Sequence, residues 1–404
     1  MNYIPEKSAF KTHEDVLEAL VDEVSLSTSV LDKIQSRYES ISTHLDRDDS
    51  TIKGYDPYVY PQGSINLGTA NNPLNKDDDI DVDIVAELKD GSKDSFTQAS
   101  LKTAVAFEVA DYARQQNMAP PEDGKRCSTL NYRDHDNGGS KFHVDILPAI
   151  PDHDGYRTML KAAAHIFNDS DIDGAIAITC KEHPSYNHKS NDWPVSNPRG
   201  YARWFESRQT VILKEQRDSL VNKGISASVE DIPLFRVSTP LQKVIKLLKR
   251  DRDTTMGDDD NKPISVIITT LAARAYQGEG DLVTAMKNIL TNMDQYIGRN
   301  SDGEYYIPNP VNPGENFADR WATEPNKPAR FFEWLRAARV TYGAFLSESI
   351  EQSRVILSKS LSDGAFNNIA GRLPVAAPAI RTRIEQEGRE AAQSSQVHKP
   401  WQSS

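Results

Sequence analysis

The chain has few of the residues that build disulfide-stabilised or membrane-embedded proteins. Only two of its 404 residues are cysteines, Cys127 and Cys180. Two cysteines are too few for a disulfide framework, and their scarcity is in keeping with a reducing compartment. No apolar run is long enough to span a bilayer, and the N-terminus lacks the pattern of a signal peptide. We therefore expect a cytoplasmic protein that does not associate with a membrane.

Positive charge is also scarce, since 47 Lys and Arg face 59 Asp and Glu and the formal net charge is −12. Long nucleic acids are held through many Lys and Arg contacts to phosphates, so the composition argues against a duplex or a long RNA as the main ligand. Small nucleotides are not excluded, because they need only one local pocket. The length is ample for a two-lobed enzyme with its own core, and we find no internal repeat.

Acidic residues occupy strand-like runs at two distant places. Asp81 and Asp83 lie in the run IDVDI, and Asp145 lies between Val144 and Ile146. Successive side chains of a strand point to opposite faces, so Asp81 and Asp83 share one face while their apolar neighbours share the other. Carboxylate oxygens suit Mg²⁺ or Mn²⁺. Three of them on neighbouring strands can hold two such ions for in-line displacement at phosphorus. We predict that Asp81, Asp83 and Asp145 are the catalytic residues and the metal ligands.

A small turn, Gln62-Gly63-Ser64, precedes the first acidic run. A glycine lets the backbone approach a ligand closely, and the neighbouring N–H groups and hydroxyl can bind phosphate oxygens. A Gly-Ser turn or an Asp-x-Asp pair alone is usually an ordinary turn or a solvated strand edge. Their order along this chain is more specific, so we predict that residues 62–64 bind the nucleotide.

A basic stretch, STPLQKVIKLLKRDR from Ser238 to Arg252, has the pattern of a helix. Ser238 or Thr239 is suited to the N-cap and Pro240 to the first helical position. Lys246 and Lys249 then stand one turn apart on one face. They form either a solvated basic face or a pair of cations for triphosphate oxygens.

These motifs together resemble those of a known family. The sequence PQGS ending at Ser64, the sequence DVD from Asp81 and the isolated Asp145 resemble the nucleotidyltransferase superfamily. Within it, the chain resembles the bacterial cGAS/DncV-like nucleotidyltransferases, which are oligonucleotide cyclases of CBASS antiphage systems related to oligoadenylate synthetases. The resemblance covers about residues 15–339 and includes the Pro/Asn-rich loop of residues 306–321. It implies that Lys246 and Lys249 contact the donor triphosphate and that Ser265 faces the nucleotide.

The resemblance implies a mixed α/β fold with two lobes. Residues 1–200 would form an N-terminal helix and a catalytic lobe with a small twisted sheet, residues 201–380 a helical second lobe, and residues 381–404 a flexible tail. Hydrophobic periodicity predicts helices over 12–45 with a break near Ser27, then over 100–116, 202–222, 263–276 and 331–346. Strands are predicted over 58–60, 127–132, 142–150 and 175–179, with a hairpin loop over 134–139.

The expected activity is the joining of ATP and other nucleoside triphosphates into a cyclic di- or trinucleotide, with pyrophosphate released at each bond. The resemblance implies a role in antiphage signalling, and related proteins can be regulated by a protein partner through a tail. Two alternatives stay open: a linear oligonucleotide or RNA-tailing polymerase of the same superfamily, and a catalytically idle nucleotide-binding scaffold.

Two weaker features involve histidine. His143 shares the face of Asp145 and could line the site, although a lone histidine on a strand is usually structural. Cys180, His183 and His188 form either a metal clip or a surface loop; a fourth ligand with the spacing of a structural zinc site is missing.

Overall fold

A computed structural model describes residues 10–75, 78–132, 141–162, 172–223 and 233–350, together with residues 352 and 356. The predicted loop over 134–139 and the predicted tail over 381–404 lie outside the described residues. The α-helices, in chain order, are α1 (His13–Val24), α2 (Thr28–Leu45), α3 (Gly63–Asn66), α4 (Gln98–Gln115), α5 (His153–Ala162), α6 (Pro198–Ser207), α7 (Thr210–Asn222), α8 (Pro240–Met256), α9 (Ser265–Ala275), α10 (Leu282–Asn292) and α11 (Asn326–Ser347).

The strands of the described residues are β1 (Pro57–Pro61), β2 (Ile80–Leu88), β3 (Glu122–Asp123), β4 (Ser128–Tyr132), β5 (Phe142–Pro151), β6 (Ile176–Ile178), β7 (Val195–Ser196), β8 (Gly298–Arg299) and β9 (Tyr305–Tyr306). The main sheet is mixed and runs in the order β1-β2-β5-β4-β3, with β6 pairing to β5 and β7 to β6. A separate two-stranded sheet, β8 with β9, lies in the second half of the chain.

The two long central strands, β2 and β5, run parallel, and β1 and β4 flank them in antiparallel pairings. Val82 and Val144 are register partners and both are buried on the sheet face that packs against α2 and α4. Because side chains alternate along a strand, the residues next to these valines must point to the opposite face. The alternation therefore places every acid of the IDVDI run on the face away from the main core.

The two largest hydrophobic cores of the described residues lie in different parts of the molecule. The first lies between the sheet and helices α2 and α4, and the second lies among α8, α9, α10 and α11. Helix α1 packs into the second core, where Val16, Leu17 and Leu20 are fully buried. The N-terminal pair of helices therefore spans both lobes, with α1 on the helical lobe and α2 on the sheet.

Helix α8 begins as its sequence predicts. Thr239 is the N-cap, forms a capping box with Gln242, and is followed by Pro240 at the first helical position. Such a cap satisfies backbone N–H groups that have no partner inside the helix. The buried stripe of Leu241, Val244 and Leu248 faces the second core.

The predicted helix over 202–222 is wrong in one respect, because the structure has two helices, α6 and α7, that meet at Arg208 and Gln209. Gln209 is buried and accepts a hydrogen bond from the Thr239 hydroxyl, while the Arg208 side chain donates to the carbonyl of Ala273. These long-range contacts end the first helix at this point, although the hydrophobic periodicity of the sequence continues through it. The break near Ser27 is confirmed, since Ser27 is the N-cap of α2.

Within the described part of the chain, no helix combines the length and the apolar character that crossing a membrane requires.

Candidate active site

The structure brings the three acids onto adjacent strands. Asp83 on β2 is the direct register partner of Asp145 on β5, and Asp81 is the partner of His143. All four side chains point to the same face, opposite the valines of the sheet core. The convergence of Asp83 and Asp145 depends on a parallel pairing between segments some sixty residues apart, which the strand pattern alone does not encode.

The electrostatics of this face favour a bound cation. Burial raises the pKa of Asp83 to about 6, and repulsion from Asp145 and Asp81 adds to the shift. Neighbouring carboxylates of like charge cannot all ionise without cost unless a cation lies among them. The donor set consists of hard carboxylate oxygens, which Mg²⁺ and Mn²⁺ prefer. Asp81, Asp83 and Asp145 therefore have the donor chemistry of a divalent metal site.

Thr129 holds the third acid in place. It is the antiparallel register partner of Asp145, and its hydroxyl donates to Asp145 Oδ1 at 2.5 Å. A hydrogen bond to a carboxylate fixes its rotation and is stronger than a bond between neutral groups. Sequence reasoning missed Thr129, because the register of β4 against β5 brings it to the site.

A histidine is paired with acids at the rim of the same face. His143 Nε2 lies 2.6 Å from Asp79 Oδ2, and its Nδ1 lies 3.9 Å from Asp81 Oδ1. The contact with Asp79 holds the His143 ring beside Asp81.

Gly63 packs directly against the acids. Its φ is +61°, and a Cβ added there would lie 2.6 Å from Asp83 Oδ2. The turn is also tied to β2, because the Gln62 N–H donates to the Asp83 carbonyl at 2.8 Å. Ser64 lines the same cavity as Asp81 and Asp83. Only glycine fits this position, for both its backbone angle and its close approach.

The two lysines singled out in α8 have different surroundings. Lys249 lines the cavity, is only 7% exposed, and donates to the Thr69 carbonyl at 2.9 Å. Burial, with repulsion from Arg252, lowers the pKa of Lys249 to about 8. Lys246 is not among the residues that line the cavity; it donates to the Ser25 hydroxyl at 3.0 Å. The structure thus brings Lys249 to the site and leaves Lys246 at the junction of α1 and α2.

Helix α8 also fixes the chain that follows the Gly-Ser turn. Gln242 donates to the Leu67 carbonyl at 2.9 Å, and Arg250 donates to the Asn72 carbonyl at 2.5 Å. Together with the bond from Lys249 to Thr69, these contacts hold residues 67–72 against the helical lobe. A rigid support of this kind keeps the turn and the acids in a fixed relation.

A cavity of about 570 Å³ lies between the lobes and is lined by Gly63, Ser64, Asp81 and Asp83. Its volume falls within the usual range for small-molecule sites. Ser265 lies on its helical wall, where its hydroxyl accepts from Arg252 at 3.1 Å. Away from the acids, the wall is built by side chains that sequence reasoning did not single out: Tyr201, Arg252, Asp253, Thr269, Asn309 and Glu315.

Neither of two other ligand-like groups has an open metal site. His44, Glu108 and Asp111 lie close together, but Arg47 forms ion pairs with both acids, Nη1 to Glu108 at 2.7 Å and Nη2 to Asp111 at 3.0 Å. A guanidinium already balances the charge of this group. In the described ranges Cys180, His183 and His188 do not assemble as a ligand set, and His183 contacts Gln98 instead.

A family model matches the part of the chain that contains the three acids. Residues 11–179 match the model of the Second Messenger Oligonucleotide or Dinucleotide Synthetase domain. The c-di-GMP synthase of Roseivirga ehrenbergii is 27% identical over 324 residues, which cover 80% of this chain and 76% of that protein. The cyclic dinucleotide synthase CdnG of Bradyrhizobium diazoefficiens is 24% identical over 328 residues, 76% of this chain and 69% of that protein.

Solved structures share the fold. The chain resembles Bradyrhizobium diazoefficiens CdnG in complex with GTP, with a TM-score of 0.62, 20% identity, and coverage of 89% of this chain and 98% of that one. It also resembles Vibrio cholerae DncV, a cyclic AMP-GMP synthase, in complex with a linear intermediate, with a TM-score of 0.51, 15% identity, and coverage of 91% and 89%. The expected mixed α/β nucleotidyltransferase fold is confirmed. Residues 11–179 thus match a second messenger synthetase domain, and the likeness of the chain to c-di-GMP synthase and CdnG supports a nucleotidyltransferase of the cGAS/DncV type.

Proposed function

We propose that this enzyme joins two ribonucleoside triphosphates into a cyclic dinucleotide and that GTP is at least one of its substrates. The observation that carries the proposal is the pair of carboxylates, Asp81 and Asp83, that lines the 570 Å³ cavity, with Asp145 beside Asp83 on the neighbouring strand β5. The names of the two curated relatives, a c-di-GMP synthase and a cyclic dinucleotide synthase, support a two-membered ring and guanine as a base.

Asp81, Asp83 and Asp145 would hold two divalent ions, Mg²⁺ or Mn²⁺. Such ions, when bound, lower the pKa of an acceptor hydroxyl and stabilise the charge on the departing pyrophosphate. Thr129 fixes the rotation of the Asp145 carboxylate, and Gly63 leaves room for the Asp83 carboxylate. The acids therefore need little rearrangement when nucleotide and metal arrive.

The remaining groups act on the triphosphate and the base. Gly63 and Ser64 would contact phosphate oxygens, with Gln62 supporting the turn. Lys249, protonated at neutral pH because its pKa is about 8, would neutralise the leaving pyrophosphate. Lys246 would support that role from outside the cavity wall. Ser265, held by Arg252, would lie toward the nucleoside.

Each phosphodiester bond forms by the same reaction. A ribose hydroxyl oxygen attacks the α-phosphorus of the second triphosphate, the bond from that phosphorus to the bridging oxygen breaks, and pyrophosphate leaves with the former bond electrons. The hydroxyl proton passes to solvent. The linear intermediate then turns so that its own triphosphate becomes the donor, and a second pyrophosphate is released on ring closure.

The biological role we propose is antiphage signalling of the CBASS type, in the cytoplasm, where nucleoside triphosphates are available. Regulation by a protein partner through the C-terminal tail is part of this proposal. A complex of Escherichia coli CdnC with a HORMA protein, a structure of the same fold, offers a precedent for a partner.

Incubation of the purified protein with labelled GTP, ATP and Mg²⁺ tests the proposal. A phosphatase-resistant product of two nucleotides supports it. A ladder of phosphatase-sensitive products would favour the linear polymerase, and an absence of product under Mg²⁺ and Mn²⁺ would favour the idle scaffold. The Asp81→Ala/Asp83→Ala variant is the matched control, and we expect its turnover to fall by at least about 10³-fold.

A further inference from the structure

A second cavity, of about 340 Å³, lies in the helical lobe and shares no lining residue with the cavity that holds the acids. It is lined by Trp204, Arg208, Arg274, Tyr296 and Pro310. Two guanidinium groups and two aromatic rings thus meet in one hollow, and no acid is among its described lining residues. This composition differs from that of the whole chain, whose net charge is −12.

The two arginines of this second cavity are held by backbone carbonyls. Arg208 donates to Ala273 at 3.0 Å and to Tyr276 at 3.3 Å, and Arg274 donates to Pro308 at 3.1 Å. Among the described residues, neither guanidinium forms an ion pair with a carboxylate, and Arg274 Nε is buried with no hydrogen-bond partner. A guanidinium carries five N–H donors, so both retain donors for a ligand.

The like charges repel each other as well. Burial lowers the pKa of Arg274, and the charge of Arg208 lowers it further. Bringing two cations together without an acid costs free energy, which an anion between them would offset. Arginine suits phosphate better than a point charge does, because its planar fork can donate two parallel hydrogen bonds.

The aromatic residues supply the second part of the site. Trp204 and the half-exposed Tyr296 border the arginines. A flat ring can stack on such side chains, and base–aromatic stacking contributes about 1–3 kcal/mol per base. The cations can bind a phosphate and the aromatic rings can stack on a base, and a nucleotide carries both of these groups in one molecule.

We propose that this second cavity is a nucleotide-binding site separate from the catalytic cavity, with the phosphate on Arg208 and Arg274 and the base on Trp204 or Tyr296. The two cavities are close neighbours in the fold. Tyr201, which lines the catalytic cavity, packs on Trp204 with ring centroids 5.3 Å apart. Helix α9 likewise has Thr269 in the first cavity and Arg274 in the second.

Calorimetric titration with GMP in EDTA tests the proposal, because chelation removes the metal on which triphosphate binding at the acids depends. We expect saturable binding of one GMP per chain, weakened by salt. Guanosine, which lacks the phosphate, and inorganic phosphate, which lacks the base, should each bind at least about tenfold more weakly.

Variants assign the binding to a cavity. Arg208→Gln should weaken GMP binding by about tenfold or more, since it removes a charged hydrogen bond. Tyr296→Ala should weaken it about fivefold, by the loss of stacking. Its side chain is 37% exposed, so this variant should fold even if Arg208→Gln does not. Ser64→Ala, in the other cavity, should leave the affinity unchanged. The proposal is overturned if GMP shows no saturable binding, if both second-cavity variants bind like the wild type, or if only Ser64→Ala loses affinity.

Discussion

Replacement of Gly63 by alanine is the sharpest single test of how the turn and the acids fit together. The new Cβ would lie 2.6 Å from Asp83 Oδ2. An ordinary contact of about 3.4 Å would require that oxygen to move by roughly 0.8 Å. A misplacement of about 1 Å in a catalytic group can cost about 10²-fold in rate. We therefore expect Gly63→Ala to lower kcat by about 30- to 100-fold.

The stability of the variant should change much less. A left-handed φ costs a residue with a Cβ about 1–2 kcal/mol, and the reduced entropy of the unfolded chain returns about 0.4–1 kcal/mol. Gly303→Ala is a matched control, because Gly303 has a φ of +79° and open space around its absent Cβ. It should share the backbone strain and keep full activity.

The assay is the initial rate of pyrophosphate release with saturating GTP and Mg²⁺, alongside thermal melts of both variants. The reasoning fails if Gly63→Ala retains a kcat within about threefold of the wild type, or if Gly303→Ala loses as much activity as Gly63→Ala does. In the first case the Asp83 carboxylate would not need its observed position, and in the second backbone strain alone would explain the loss.

Three further predictions concern Thr129, the two lysines of α8, and Asp251, a buried acid that accepts a hydrogen bond from Trp334 in the helical core. Thr129→Val should weaken Mn²⁺ binding about 10- to 100-fold, because the Asp145 carboxylate loses the hydrogen bond that holds it. Electron paramagnetic resonance measures the affinity, and Thr129→Ser should restore it. Equal losses of affinity in both variants would contradict this role of Thr129. In steady-state kinetics, Lys249→Gln should raise the KM for GTP about tenfold or more, whereas Lys246→Gln should change that KM less than about twofold. A larger effect of Lys246→Gln than of Lys249→Gln would contradict the placement of Lys249 in the cavity. Burial raises the pKa of Asp251 to about 7. Between pH 4 and 7 the folded state therefore binds more protons than the unfolded state, so this group lowers the free energy of unfolding as pH rises. Asp251→Asn should consequently raise the free energy of unfolding at pH 8 by at most about 4 kcal/mol, which thermal melts detect as a higher Tm. No such rise is expected at pH 4. A variant with the same Tm as the wild type at pH 8 would contradict the raised pKa of Asp251.

The local patterns of the sequence predict the elements that carry the site. Alternation of apolar and acidic residues predicts that Asp81 and Asp83 share a face, because a strand has a period of two. The cap at Thr239 and the stripe of Leu241 and Val244 predict α8, because both signals lie within a few residues of each other. Family resemblance supplies the fold, which the comparisons confirm.

Contacts between distant segments are what the sequence leaves open. A period of 3.6 residues places Lys246 and Lys249 on one face of α8 but does not say that one meets Ser25 and the other Thr69. The role of Thr129 depends on the register of β4 against β5, and the break before α7 depends on a bond from Thr239. Each outcome is set by the packing of one element on another rather than by local propensity.

Mass spectrometry of the reaction products, for the wild type and Asp145→Asn side by side, tests most directly whether the three acids form a nucleotide cyclase. The account predicts a wild-type product whose mass equals two nucleoside monophosphates less two waters, and no such product from Asp145→Asn with an unchanged thermal melt. Only linear products from the wild type, or the same cyclic product at an undiminished rate from Asp145→Asn, would contradict it.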